Sequence, residues 1–136
     1  MSEPHGFADR FQWIARSEGW VNPALPGGFI RMWEEFVEEC VSGYEFDLAE
    51  YLNDLSIRGL LQKAMDDIEM KLLEQYSWFT GEVRRVDERF REAVEDGPVV
   101  WPDGEFWWRR KIPPIGSEDF VRDVRDRFSV ELRLVD

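Results

Sequence analysis

The chain has 136 residues and a net charge of −12, from 29 acids and 17 bases. Its length suits one domain, 1–136, and its 43% hydrophobic content is too high for a disordered chain. A field of that sign repels nucleic acid and anionic lipid, and no run approaches the roughly 20 apolar residues that span a bilayer.

The N-terminal residues carry Glu3, His5, Asp9 and Arg10 with no apolar run, so no signal peptide is predicted. Cys40 is the only cysteine, which excludes an internal disulfide and points to the cytoplasm. It falls on the apolar stripe of its helix and reads as a small buried hydrophobe.

Phe7 to Arg16 is the first predicted helix, with Phe7, Phe11 and Ile14 on one side. Ser17 to Gly28 is a loop rich in Gly and Pro, whose Trp20, Val21 and Leu25 are expected to be pinned to the body. Phe29 to Val41 is the cleanest helix: Phe29, Met32, Trp33, Phe36, Val37, Cys40 and Val41 keep helical spacing. Gly43 stops it. Asp47 is placed to cap a helix with Leu48, Tyr51, Leu52 and Leu55 inside. Ser56 is predicted to cap the next run.

That run, Leu60 to Val94, organises the chain. Leu61, Met65, Ile68 and Leu72, then Phe79, Val83, Val86, Phe90 and Val94, make one apolar stripe. It is one long helix or two joined near Ser77. Gly97-Pro98 ends it. Val99 to Ile112 reads as a hairpin around Pro102-Asp103-Gly104, with Phe106, Trp108 and Ile112 on one face and Trp107, Arg109 and Lys111 on the other. Ser117 caps a last short helix. Residues 128–135 alternate as a half-buried strand. The expected fold is α+β and mainly α. Five or six helices pack around a central helix or helix pair, 60–94, with a small antiparallel or mixed C-terminal sheet made of the hairpin 99–112 and the strand 128–135.

Catalytic kits are missing. One histidine, His5, cannot build a multi-His zinc site, and there is no phosphate loop or dinucleotide fingerprint, so no cofactor is predicted. The notable feature is acidic. Between Arg31 and Arg58 lie Glu34, Glu35, Glu38, Glu39, Glu45, Asp47, Glu50 and Asp54, with no base among them. Glu34, Glu35, Glu38, Glu45, Asp47, Glu50 and Asp54 form the candidate partner-binding face. The leading expectation is a non-enzymatic binding protein, an immunity or antitoxin-like inhibitor of a basic protein.

Two alternatives accompany it. Glu35-Phe36-Val37-Glu38 followed by Glu50 and Asp54 resembles the E-x-x-E, E-x-x-D pattern of the all-α nucleoside-triphosphate pyrophosphatases of the MazG and dimeric dUTPase kind. The resemblance covers about twenty residues and implies a Mg²⁺-dependent hydrolase with Glu35, Glu38, Glu50 and Asp54 as ligands. It departs at the second pair, spaced by four, where Asn53 holds the aspartate's position. On a helical wheel Glu38 also lies roughly 160° from the apolar stripe, away from a packing partner. The other alternative is a homo-oligomer that uses the aromatic surplus. Trp107, Arg109 and Lys111 are a second candidate partner-binding set, because an exposed Trp beside Arg is typical of interface anchors.

Overall fold

A computed structural model describes residues 6–104 and 106–135; Glu3, His5 and Glu105 lie outside the described residues. The fold is mainly helical with a small sheet near the C-terminus. Helix α1, Phe7–Ser17, buries Phe7, Phe11, Ile14 and Ala15 at helical spacing. Trp20 folds back edge-on to Phe29, with ring centroids 4.9 Å apart. Val21 and Leu25 do not follow it and are exposed, because only the Trp ring reaches the core.

Helix α2, Pro26–Ser42, starts three residues before its apolar pattern. Pro26 sits in its first turn, where a missing N–H costs nothing and the fixed φ already suits a helix. Phe29, Ile30, Trp33, Phe36, Val37 and Cys40 are buried on its inner face. Gly43 ends it at φ +107°, and a Cβ there would lie 2.7 Å from a Val135 methyl.

Helix α3, Leu48–Asp66, is capped by Asp47, whose carboxylate accepts from the Glu50 amide at 2.9 Å. It runs through the break expected at Ser56, whose hydroxyl donates to the Asn53 carbonyl instead. Gly59 lowers local propensity by about 1 kcal/mol against Ala. Leu55, Ile57, Leu60 and Leu61 are all buried around it, and their packing outweighs that cost.

The interruption falls at Asp67. Its carboxylate caps the four-residue α4, Ile68–Lys71, and is clamped by Arg10 of α1 at 2.8 Å. The chain therefore turns before the predicted stripe continues. Ile68 and Leu72 are 77% and 80% exposed, and Met70 is buried in their place. Helix α5, Tyr76–Val94, includes Ser77 in its first turn, so the join lies at 67–75. Its Phe79, Val83, Val86, Phe90 and Val94 are buried as the spacing requires. The most extensive helix contact is α2 on α5, where Trp33 and Phe36 meet Phe90.

The segment 99–112 is not the predicted hairpin. Val99 bridges Lys111 antiparallel, and Gly104 N–H closes the turn onto the Trp101 carbonyl at 3.1 Å. The returning arm then coils into a 3-10 turn, Trp107–Arg109. Strict alternation would place Phe106 and Trp108 on one buried face. Trp108 is buried, while Phe106 is 38% exposed and stacks on it from outside.

The sheet is parallel. Strand β1, Ile115–Gly116, lies between a bridge to Tyr44 and strand β2, Arg133–Leu134. Parallel strands need a crossover. Helix α6, Glu118–Phe128, supplies it, with Ser117 accepting from the Phe120 amide as its cap. Phe128, predicted to open the strand, is the last residue of α6, and left-handed Ser129 turns the chain toward β2.

One buried polar node locks α2, α3 and α5 together. Arg58 and Asp87 are 2% and 3% exposed. Arg58 Nε and Nη2 donate to Asp87 Oδ1 and Oδ2 at 2.8 and 2.9 Å. Trp33 Nε1 donates to Oδ1 at 3.0 Å, and Gln62 accepts from Arg58 Nη1 at 3.0 Å. The guanidinium also lies 4.5 Å from the centre of the Trp108 ring. Each guanidinium nitrogen and each carboxylate oxygen of the pair has a hydrogen-bond partner, as a buried charge requires.

Candidate functional site

The acidic residues separate into three groups. Glu34 and Glu38 lie toward α5. Arg85 Nη1 donates to Glu34 at 2.9 Å, and Arg89 Nε donates to Glu38 at 2.9 Å. Both pairs are 51 residues apart in the chain, so α2 and α5 run in the same direction with matched turns. Glu38 therefore does not point away from a packing partner: α5 lies beside α2, and its arginines reach across to that flank. Arg89 holds the Glu38 carboxyl below the ordinary value.

A second group serves the fold. Asp47 caps α3, Glu50 accepts from Asn53, and Asp54 accepts from the Tyr44 hydroxyl at 2.7 Å. Partial burial, with Glu50 nearby, raises the Asp54 carboxyl above its usual range despite that hydrogen bond.

The third group is Glu35, Glu39 and Glu45. Among the described residues no base forms an ion pair with any of them. They line a groove of about 540 Å³ along α2, which Glu34, Glu38 and Gly43 also border. Burial raises the Glu39 carboxyl, and Asp54, Glu45 and Glu35 raise it further. The groove is thus an open negative concavity, with Glu35 and Glu45 exposed and Glu39 half-buried. Such a field attracts cations. Glu39 was absent from the face predicted from sequence. Its signal was present in the chain: it follows Glu35 by four residues and so shares its flank of the helix.

The four carboxylates of the hydrolase alternative, Glu35, Glu38, Glu50 and Asp54, are dispersed over these groups. Among the described residues no three His, Cys, Asp or Glu side chains are arranged to hold a metal ion. Of the second candidate set, Trp107 and Lys111 line one cavity, and half-buried Arg109 does not line it among the described residues. Trp107 is half-buried rather than open, with Arg91 covering one face of its ring at 3.9 Å. Among the described residues no helix is long and apolar enough to cross a membrane. Comparison of the chain with protein families, curated proteins and solved structures gives no match.

Proposed function

We propose that this is a non-enzymatic binding protein whose acidic groove receives a basic protein, in the manner of an immunity or antitoxin-like inhibitor. The supporting observation is the selective lack of pairing. Glu34 and Glu38 have cations supplied by α5, whereas Glu35, Glu39 and Glu45 have none and face one concavity. An arginine or lysine entering the groove would relieve repulsion already present in the free protein. The same field would steer a basic partner during encounter, which speeds association more than it slows release. An inhibitor of a fast-acting protein benefits from that kinetic profile.

The test compares two variants in capture and surface-binding kinetics at low salt, using a lysate of the native cell. Glu35, Glu39 and Glu45 are replaced by Gln in one, and Glu34 and Glu38 in the other. A basic protein should bind the wild type, and its association rate should fall mainly in the first variant, with a flatter salt dependence. An association rate that both variants leave unchanged, or no basic protein captured at low salt, would sink the proposal.

A further inference from the structure

The opposite charge sign collects around Trp107. A cavity of about 560 Å³ opens between the C-terminal end of α5 and residues 99–102 and 107–111. Its apolar walls are Val94, Val99, Pro102 and Trp107. Among the described residues three cations line it, Arg91, Arg110 and Lys111, and one acid, Glu95. Arg91 is already committed, lying over Trp107 at 3.9 Å and pairing with Glu88 at 2.5 Å.

Arg110 and Lys111 are held by main-chain carbonyls at this cavity. Among the described residues neither meets a carboxylate. Arg110 Nε donates to the Gly104 carbonyl at 3.2 Å, and Lys111 Nζ donates to the Glu95 carbonyl at 2.6 Å. Lys111 thereby caps the end of α5, where exposed carbonyls favour a cation. That contact uses one of three ammonium donors, and Arg110 spends one of five. The carbonyls fix both side chains in position without neutralising them. The remaining donors sit at the mouth of an apolar space of the size that holds small ligands, roughly 300–1,000 Å³.

We infer that this cavity binds a small amphipathic organic anion, with a flat apolar body against Trp107 and a carboxylate or phosphate on Arg110 and Lys111. The head group meets Arg110 and Lys111, so a neutral molecule of the same shape keeps only the contact with the apolar walls. The site lies away from the acidic groove and does not depend on it.

The probe is 8-anilinonaphthalene-1-sulfonate, titrated calorimetrically into the full chain beside neutral N-phenyl-1-naphthylamine. The sulfonate should bind with one-to-one stoichiometry. Replacing Arg110 and Lys111 by Gln should weaken it roughly tenfold or more, the loss of at least one charge-assisted hydrogen bond, and leave the neutral probe unaffected. Trp107→Leu should weaken both; if that variant fails to fold, the charge variant decides alone. Naphthalene-1-carboxylate and 1-naphthyl phosphate identify the preferred head group by whichever binds tighter. Sulfonate binding that the charge variant leaves unchanged, multiple-site binding, or failure of all three anions overturns the inference.

Discussion

Asp87→Ala is the sharpest test of how this fold is held. Among the described residues the substitution removes the only carboxylate on Arg58, whose side chain is 3% exposed and keeps Gln62 as its one remaining hydrogen-bond acceptor. Breaking a buried pair by removing one partner costs about 3–5 kcal/mol, because the surviving charge is left uncompensated. Trp33 Nε1 also loses its acceptor, adding about 1 kcal/mol or more. A loss of about 4–6 kcal/mol is a large part of the roughly 5–15 kcal/mol that stabilises an ordinary domain. With a urea slope of about 2 kcal/mol per molar, the midpoint should fall by about 2–3 M. The decisive comparison is the double variant Arg58→Met with Asp87→Leu. It removes both charges and refills the volume, so it should recover most of the loss and stay within about 2 kcal/mol of wild type. Urea denaturation followed by Trp fluorescence measures all three proteins. A loss under about 1 kcal/mol for Asp87→Ala, or a double variant as unstable as the single, would refute the account of a buried charge held by its partner.

The pH dependence separates the two flanks of α2. Burial and neighbouring acids raise Glu39 above the ordinary 4.5, so the folded state binds its proton more tightly than the unfolded state. Stability therefore falls as pH rises between 4.5 and that higher value, and Glu39→Gln should be more stable than wild type at neutral pH. The difference should close below the ordinary value; a difference constant across melting curves from acid to neutral pH would contradict this. Glu38 has the opposite sign: Arg89 lowers it, so its contribution is present above 4.5 and is lost as pH falls through the lower folded value. Glu38→Gln should accordingly melt lower than wild type at neutral pH and converge with it in acid. Two glycines should also respond oppositely to Ala. At Gly97 a Cβ would lie 1.7 Å from the Ile112 carbonyl oxygen, which is backbone and cannot swing aside, so a loss of about 3 kcal/mol is expected. At Gly59 nothing lies within 4 Å, and Gly59→Ala should gain about 0.5–1 kcal/mol in the same urea titration.

Local chemistry was readable where one residue decides the outcome. Asp47 and Ser117 cap their helices, Gly43 ends α2, and the stripes of α1 and α2 are buried where their spacing places them. Readings that depended on distant residues were less reliable. Ser56 lost its capping role because the burial of Leu55, Ile57, Leu60 and Leu61 carries the helix through that position. Ile68 and Leu72 fit the stripe by spacing, but Arg10, 57 residues from Asp67, clamps the chain into a turn between them and α3. Asp87 could have been noticed: Val83, Asp87, Phe90 and Val94 follow helical spacing, and a carboxylate on that stripe needs a buried cation. The acidic stretch was visible at once. Which of its members are free was not, because Arg85 and Arg89 come from 51 residues away.

The bridge from Tyr44 to Gly116 bears on when the groove exists during synthesis. Tyr44 follows Gly43, which borders the groove, and its carbonyl accepts from the Ser117 amide at 2.8 Å. Gly43 packs close to Val135, and the Val135 amide donates to the Gly116 carbonyl. The end of the groove is therefore closed by residues translated long after α2, through contacts of large sequence separation that form slowly. A growing chain carries α2 and its acids while residues 43–45 still lack their supports. Recognition through this groove would then begin only when the last strand is in place, so a nascent or C-terminally clipped chain would carry the acids without the shape that presents them.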